Sequence, residues 1–291
     1  MNKKFNSITG VTLIEILIGI VISTMMMAAM YTSYNVVNST YSQVTDTAKI
    51  SQTGRDVIGM IIRDVRMAGY KYFNDNIQID VTQHIPILIT KKDTSNACDK
   101  IEIVYGDINY DPSTTPPTQT FERLKVIYEC KLSKIPDKTA MTTGNVVTLG
   151  DTKGIKAIYK SKLKWDNALK RWKDPTLDGD VETYLDEILV EYIEDLIFVP
   201  IDEEGKVINP PPSSTTNNNK IFKIKVVDIL MSVRSKNDFY KKAKPREKKA
   251  LIDDTRKINK TDKFLRDTIV VSAHARNLGL EWKIVMKKDL L

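Results

Sequence analysis

The sequence predicts an α+β fold: a long N-terminal helix, first hydrophobic and then amphipathic, followed by a mainly antiparallel β globular head. Residues 11–30 are almost wholly apolar, and residues 31–69 continue with apolar positions at helical spacing. Residues 70–291 change to short segments of alternating apolar and polar residues, separated by turn-forming residues. A short polar leader, residues 1–10, precedes the helix. We therefore expect a leader, a membrane-spanning helix, its amphipathic continuation and a β-rich head.

The apolar segment has the length of a membrane-spanning helix. About 20 residues at about 1.5 Å each give roughly 30 Å, the thickness of the hydrocarbon core of a bilayer. Lys3 and Lys4 favour a cytoplasmic leader, so the head is expected outside the cytoplasm. The segment holds one ionisable residue, Glu15. Its carboxylate costs about 2.5–3.5 kcal/mol near the centre of a membrane helix and less towards an end, so another interaction must offset that cost.

The residues before Glu15 indicate how its charge is neutralised. The one plausible cleavage site lies before the apolar run, between Gly10 and Val11, and cleavage there keeps the helix and frees the Val11 amine. Glu15 then lies one helical turn from a terminal ammonium, or meets the amine of a neighbouring copy. At about 4 Å and an effective dielectric constant of about 20, such a pair contributes on the order of 4 kcal/mol before desolvation. The alternative interpretation is an ordinary signal anchor with an incidental Glu15.

The segment Gly10-Val-Thr-Leu-Ile-Glu15 resembles the class III prepilin motif of the type IV pilin superfamily: a basic leader, a Gly, then an apolar helix with Glu fifth after the cut. The resemblance implies cleavage by prepilin peptidase, N-methylation of Val11, and packing of the helix with other minor and major pilins in a filament core. Val11 departs from the Phe or Met that is commonest at this position.

Helical spacing continues after the apolar segment, and we expect one helix from about Val11 to about Ala68, with Gly69 as its C-cap. Its second half should lay an apolar stripe on the head. Alternating or apolar segments predict the strands of the head, with Pro86 marking an edge strand. These segments are residues 77–81, 85–89, 100–105 (ending at Gly106), 124–130, 145–149, 155–165, 169–172, 187–202, 221–234 and 268–277, with a charge-rich, partly helical excursion at 241–263.

Three of the later blocks, residues 189–196, 227–235 and 270–278, resemble PilW-type minor pilins, and J-type pseudopilins of type II secretion are close relatives of these. Residues 63–70, at the end of the helix, fit the same group. The resemblance implies a low-abundance subunit that helps to start a filament and sits at or near its tip.

Two cysteines, Cys98 and Cys130, lie beyond the membrane segment. A compartment outside the cytoplasm permits a disulfide between them. The loop of about 30 residues would contribute roughly 3–4 kcal/mol in the chain-entropy model. The alternative is a pair of buried, unbridged thiols.

The sequence lacks the usual catalytic motifs. It holds two histidines, His84 and His274, and none of the patterns of a zinc hydrolase, a serine hydrolase or a P-loop ATPase. We therefore expect no enzymatic activity and no cofactor. His274 lies in an alternating segment and is expected to be structural, and Trp165 and Trp172 are expected to cover one sheet face. Asp174, Asp178 and Asp180 form either a calcium-binding loop or a solvated turn.

The net charge of +7 does not by itself indicate nucleic-acid binding. The densest basic run is residues 241–249. It would either bind DNA or another acidic polymer with release of counterions, or form ordinary solvated surface.

The sequence thus favours a minor pilin that primes assembly of a type IV pilus and joins it near the tip. Before assembly it would sit in the bacterial inner membrane as a single-pass protein. A type II secretion pseudopilin in a periplasmic filament is the alternative. A third hypothesis is a signal-anchored periplasmic enzyme or sensor that never polymerises.

Overall fold

The computed structural model describes residues 10–71, 83–91, 98–111, 113, 115–133, 155–178, 182–212, 220, 222–236, 238–240, 242–247 and 259–278. The chain divides into two compact units, Met1–Ala48 and Lys49–Leu291. One long helix, α1 (Leu13–Met67, 55 residues), is followed by a mainly antiparallel β domain. The predicted α+β layout is therefore confirmed, and the predicted helix ends, Val11 and Ala68, lie within two residues of the observed ones.

The head contains three antiparallel sheets among the described residues. A six-stranded sheet runs in the order β1-β2-β3-β4, and β5 and β6 both pair with β4. A three-stranded sheet has β8 between β7 and β11, and β9 pairs with β10 as a separate two-stranded ribbon. The strands are β1 (Ile87–Thr90), β2 (Lys100–Asp111), β3 (Thr118–Leu132), β4 (Lys156–Asp166), β5 (Arg171–Trp172), β6 (Tyr184–Glu191), β7 (Ile193–Ile201), β8 (Val226–Arg234), β9 (Lys244–Glu247), β10 (Asn259–Asp262) and β11 (Arg266–His274), with a short helix α2 (Pro175–Asp178) between β5 and β6.

The second half of α1 supplies one face of the core of the head. Val57, Ile58, Ile61 and Val65, with Ala68 directly after the helix, are all buried, at the helical spacing that the sequence predicted. They belong to one apolar cluster that includes side chains of both larger sheets, such as Ile101, Ile103 and Val126 from the first and Phe198, Ile229 and Met231 from the second. Burying each large aliphatic side chain contributes about 1.5–3 kcal/mol.

A buried carboxylate fixes α1 on the six-stranded sheet. Asp64 Oδ2 accepts a hydrogen bond from the Tyr128 hydroxyl at 2.5 Å and pairs with Lys160 Nζ at 2.9 Å. Asp64 is only 5% exposed and Tyr128 is fully buried. Burial, and then the negative charge of Asp64, raise the pKa of Tyr128 well above its usual value. Side chains from two strands, β3 and β4, thus bind the same carboxylate oxygen of Asp64 in α1.

A second polar link joins the two larger sheets. Asp99, immediately before β2, donates its backbone N–H to Leu196 O at 2.8 Å, and its Oδ2 accepts a hydrogen bond from Phe198 N at 3.0 Å. Lys91 Nζ lies 3.0 Å from the same carboxylate. The neighbouring Cys98 is joined to Cys130 by a disulfide, with the two Cα atoms 5.6 Å apart. The edge of the three-stranded sheet is therefore held to β2 and β3 through adjacent residues.

The C-terminal end of α1 is capped by contacts with the head. Gly69 has φ +73°, the left-handed conformation that a helix C-cap needs, and its N–H donates to Val104 O at 2.9 Å. The Asn277 side-chain amide donates to Arg66 O at 3.0 Å and satisfies a carbonyl of the last turn. The predicted Gly69 cap is confirmed.

The prediction that a strand ends at Gly106 is wrong, because Gly106 lies within β2, which continues to Asp111. Its N–H donates to Tyr70 O at 2.7 Å, and a Cβ at this position would lie 2.7 Å from the backbone O of Lys71. The glycine is thus required by the close approach of the segment that leaves α1.

One further expectation was wrong. The block 187–202 is not one element, because Tyr192, with φ 61°, separates β6 from β7, and the chain moves there from the six-stranded to the three-stranded sheet. The described part of the excursion 241–263 contains β9 and β10, and the helical part expected in this excursion stays a prediction. The strand predicted at 221–234 begins at Val226. The strands predicted at 77–81 and 145–149 lie outside the described residues.

Replacing Tyr128 with Phe should destabilise the head by about 1–3 kcal/mol at pH 8, because a buried carboxylate loses a hydrogen-bond donor. The raised pKa of Tyr128 makes its protonated form the stable one in the folded state. Its contribution is therefore complete below about pH 10 and is lost as the pH rises further. The difference between wild type and variant in urea unfolding should narrow above pH 10. Tyr110→Phe, at an exposed tyrosine, is the control; a difference that stays constant to pH 11 would contradict the assignment.

Replacing Gly106 with Ala should destabilise the head by about 1–3 kcal/mol, since the backbone carbonyl of Lys71 cannot easily move away from the new methyl group. Gly59→Ala is the matched control. A Cβ at Gly59, on the exposed side of α1, meets no atom within 4 Å, so helix propensity should stabilise the protein by up to about 1 kcal/mol. Thermal unfolding of both variants measures whether each substitution lowers or raises the stability of the protein. Equal changes in melting temperature would show that the close approach of Lys71 to Gly106 does not affect stability.

Candidate functional site

Helix α1 begins with a capping box formed by Thr12 and Glu15. Thr12 donates to Glu15 Oε2 from its backbone N–H at 2.8 Å and from its hydroxyl at 2.9 Å. In return, Glu15 N–H donates to Thr12 Oγ1 at 3.4 Å. Since Leu13 is the first helical residue, Thr12 is the N-cap and Glu15 the third residue of the helix. The carboxylate thus satisfies a backbone donor at the positive end of the helix dipole.

The sequence predicts that Glu15 pairs with the Val11 amine, whereas in the structure its carboxylate accepts hydrogen bonds from Thr12. The Thr-x-x-Glu pattern at the start of an apolar run was the signal that identifies such a cap. The two assignments are compatible in geometry, because both bonds from Thr12 use Oε2. Glu15 Oε1 accepts no hydrogen bond from the residues that the structure describes.

The predicted cleavage site lies in exposed chain immediately before the helix. Gly10 is exposed, and a Cβ built on it would meet no atom within 4 Å. Val11 is 71% exposed. The leader residues 1–9 lie outside the described part of the chain. The bond between Gly10 and Val11 is therefore not protected by any described neighbour.

The first half of α1 has the properties of a membrane-spanning helix. It is the one helix in the described part of the chain that is long and apolar enough to cross a membrane, and its most apolar stretch is not buried within the protein. Its few hydroxyl groups bond to carbonyls of their own helix: Ser23 donates to Gly19 O at 2.7 Å and Thr24 to Val21 O at 2.8 Å. Such internal bonds are what an apolar solvent requires of polar groups.

An exposed apolar stripe continues beyond the membrane-length segment. Tyr34, Val37, Tyr41 and Val44 follow each other at intervals of three and four residues, and each is 62–71% exposed. This spacing places them on one side of the helix, as in the seam of a helical bundle. A second helix laid along the stripe would bury them.

His84, Trp165 and Trp172 form a packed cluster in the head. Trp165 and Trp172 pair across the hairpin of β4 and β5, with ring centroids 5.2 Å apart. His84 is fully buried, its ring 4.2 Å from that of Trp165, and its Nδ1 lies 3.1 Å from the guanidinium of the buried Arg123. His274, the other histidine, is exposed at the end of β11. The cluster has the contacts of a structural core rather than of an open cleft.

Of the candidate calcium ligands, Asp174 is engaged in local structure. It accepts from Thr176 N at 2.9 Å and from the Thr176 hydroxyl at 2.6 Å, which caps α2. These two bonds lower the pKa of Asp174. The side chain of Asp178 and all of Asp180 lie outside the description. Among the residues that the structure describes, no group of three potential ligands could hold a metal ion, and the calcium loop stays a prediction.

The basic run at 241–249 lies partly in the β9–β10 ribbon. The register sets Arg246 opposite Lys260 and Lys244 opposite Asp262, and Lys242 is exposed just before the ribbon. Lys241, Lys248 and Lys249 are outside the described residues.

Comparison of the chain with protein-family models, with curated proteins and with solved structures finds no match in any of the three.

Proposed function

We propose that this chain is a minor pilin, cleaved between Gly10 and Val11 by prepilin peptidase, that primes assembly of a type IV pilus and is incorporated near its tip. The observation that carries the proposal is a carboxylate at the first turn of an exposed apolar helix, directly after an accessible Gly–Val bond. The proposal implies that the chain starts as a single-pass protein of the bacterial inner membrane, with its head outside the cytoplasm.

The exposed surface of α1 supports a role in assembly. Side chains from Leu13 to Val44 are left uncovered within the chain, beyond the roughly 20 residues that a bilayer would cover. The stripe from Tyr34 to Val44 therefore needs a further partner, which neighbouring helices of a filament would supply. Burying that apolar area stabilises association by about 25 cal/mol per Å².

Glu15 supports the same role because, among the residues that the structure describes, no cation pairs with its carboxylate after capping. Hydrogen bonds from Thr12 are neutral, so they stabilise the carboxylate without cancelling its charge. An ammonium created at Val11, in the same chain or in a neighbouring copy, would do so in a low-dielectric filament core. Cleavage thus converts a group that is unfavourable in lipid into one that favours packing of subunits.

The type II secretion pseudopilin remains the second candidate, since residues 189–196, 227–235 and 270–278 also resemble J-type pseudopilins. The same helix would then pack into a short periplasmic filament. Deleting the gene and scoring surface pili and secreted proteins separately distinguishes the two: loss of pili supports the pilus, and loss of secretion alone supports the pseudopilus.

Expression with a prepilin peptidase should yield a chain that begins at N-methylated Val11, as measured by mass spectrometry of the N-terminal peptide. Gly10→Leu should remain uncleaved, although the open space around Gly10 lets the helix form unchanged. An intact Met1 in a cell with active peptidase would contradict both filament proposals and favour a signal-anchored periplasmic enzyme or sensor.

Two substitutions separate the charge of Glu15 from its role as a cap. Glu15→Gln keeps an oxygen that accepts from Thr12 but removes the charge. Thr12→Val keeps the charge and weakens the cap by about 1 kcal/mol. We expect Glu15→Gln to be inserted and cleaved normally but to be reduced at least about tenfold in sheared filaments, because loss of the ion pair exceeds 1.4 kcal/mol. Thr12→Val should assemble nearly as well as wild type, with immunoblots of the sheared fraction as the measurement.

The reverse pattern, in which Glu15→Gln assembles and Thr12→Val does not, would show that Glu15 acts as a cap. Membrane fractions probed for each variant control for expression and insertion.

A further inference from the structure

The three-stranded sheet ends at β11, whose outer edge carries no partner strand in the described part of the chain. β11 pairs with β8 over its 9 residues without a register shift. Just beyond the ends of this ladder, Leu265 O accepts from Ser235 N–H at 2.7 Å, and Ala275 N–H donates to Lys225 O at 2.9 Å. The odd-numbered residues of β11 therefore direct their backbone groups to β8, because successive residues of a strand direct these groups to opposite edges.

The backbone groups of Thr268, Val270 and Ser272 consequently point to the outer edge. No described backbone group donates to them or accepts from them. The side chain of Val270 is 52% exposed, and Ile269 and Val271, which face the core, are only partly buried. A further strand along this edge would satisfy the hydrogen-bonding groups and complete the burial of these two core-facing side chains.

β11 also lacks the features that usually protect an edge strand from association, such as short length, Lys, Pro or a β-bulge. Residues 268–273 contain no charged residue, no Pro and no Gly. The two charges that begin the strand are engaged within the head. Arg266 bonds to Asp262 at 2.7 Å, and Asp267 accepts from the Ser51 hydroxyl at 2.6 Å. The stretch that follows them is thus open to a partner strand.

The other edges of the two larger sheets are protected in the described part of the chain. β1 has only 4 residues and directly follows Pro86. The outer edge of β7 is covered by the contacts of Asp99 and by Ile208, whose N–H donates to Pro200 O at 2.9 Å. β6 pairs with β4 through two register shifts, and β5 has only 2 residues. Protection is therefore the rule in this head, and β11 departs from it.

We propose that the outer edge of β11 binds an extended segment of a partner polypeptide, which adds to the sheet as a fourth strand. In strand addition, main-chain hydrogen bonds supply affinity and alternate side chains supply specificity. The segment that fits is uncharged over about five residues, since residues 268–273 offer no charge to pair with. Its core-facing positions carry apolar side chains that cover Ile269 and Val271, and its outer face carries β-branched side chains beside Val270.

A second copy of this chain fits this edge less well than a different polypeptide. The bonds of Ser51 to Asp267 and of Asn277 to Arg66 show that β11 and the second half of α1 run in the same direction. Antiparallel pairing of two β11 edges would therefore direct the two helices oppositely, which copies anchored in one membrane cannot do. This argument against a second copy rests on the proposed membrane anchor, whereas strand addition itself does not.

The test uses the full-length chain in nanodiscs of zwitterionic lipid and a fluorescein-labelled peptide, Lys-Thr-Val-Thr-Val-Thr-Val-Lys, whose binding is followed by anisotropy. The same peptide with every Thr and Val N-methylated is the control, because it cannot donate backbone hydrogen bonds. We expect saturable binding of the first peptide and binding at least about tenfold weaker of the second. The measurement involves neither cleavage nor filament assembly, so its failure is distinguishable from failure of the proposed function.

Two substitutions at one position test the edge itself. Val270→Pro removes an N–H that points outward, so every hydrogen bond between β11 and β8 is kept, and edge strands tolerate such a proline. It should weaken binding of the peptide at least about tenfold. Val270→Thr keeps both the N–H and the β-branched shape, and it should bind within about threefold of wild type. Circular dichroism melts check that both variants are folded.

Hydrogen exchange of the wild type supplies a measurement that needs no variant. In the free chain, the amides of Val270 and Ser272 should exchange much faster than those of Ile269 and Val271, which bond to β8. Saturating peptide should slow exchange at Val270 and Ser272.

Four results would overturn the proposal. Wild type that does not bind the peptide would exclude strand addition. Equal losses in Val270→Pro and Val270→Thr would assign binding to the side chain rather than to the backbone. Slow exchange of Val270 and Ser272 in the free chain would show that another segment of the same chain covers the edge. Association of the nanodiscs in sedimentation, abolished by Val270→Pro, would assign the edge to a second copy.

Discussion

The unequal environment of the two halves of helix α1 is the constraint on which the rest of the structure depends. Leu13 is 80% exposed and Tyr41 71%, whereas Ile61 and Val65 are fully buried in the head. At about 25 cal/mol per Å², the first half cannot be left in water without a large penalty. The chain has no second apolar surface, within its described part, that covers these side chains. The first half therefore requires lipid or other helices, whereas the second half packs into the core of the β head.

The head in turn fixes the position of the helix along its own axis. Apolar contacts alone would tolerate a shift by one turn, since aliphatic side chains are replaced by others of similar size. The buried carboxylate of Asp64 does not tolerate it, because a shift would leave both the carboxylate and Lys160 without their charge partner in a buried place. The hydrogen bond from the Asn277 side chain to Arg66 O also opposes such a shift, at the end of the helix. Polar contacts thus set the register that the apolar core stabilises.

Periodicity predicted what depends on local pattern and failed where tertiary contacts decide. The helix, its Gly69 cap and the segments that form β4 and β5 followed from spacing and turn residues alone. Gly106 could not be assigned, because the contact with Lys71 that requires a glycine is brought close only by the fold. Tyr192 divides the block 187–202 into two strands, and nothing in its side chain favours the left-handed conformation that it adopts. The residues of the candidate site, Gly10, Val11 and Glu15, could be proposed from the sequence because they are neighbours in it. The cap by Thr12 could have been predicted from the Thr-x-x-Glu pattern and was missed.

The cap does not by itself account for Glu15. A glutamine would accept the same hydrogen bond from Thr12 N–H, and capping boxes use either residue. In water the choice matters little, since a carboxylate at a helix N-terminus gains up to about 1 kcal/mol from the helix dipole. In an apolar medium the charge costs about 2.5–3.5 kcal/mol near mid-membrane and less towards the helix end where Glu15 lies, and a glutamine would reduce this cost. A chain that only needed to start a helix in lipid would therefore do better without the charge. What distinguishes Glu15 from glutamine is the ability to attract a cation, and the position adjacent to Thr12 at which a new cation would arise is the Val11 amine.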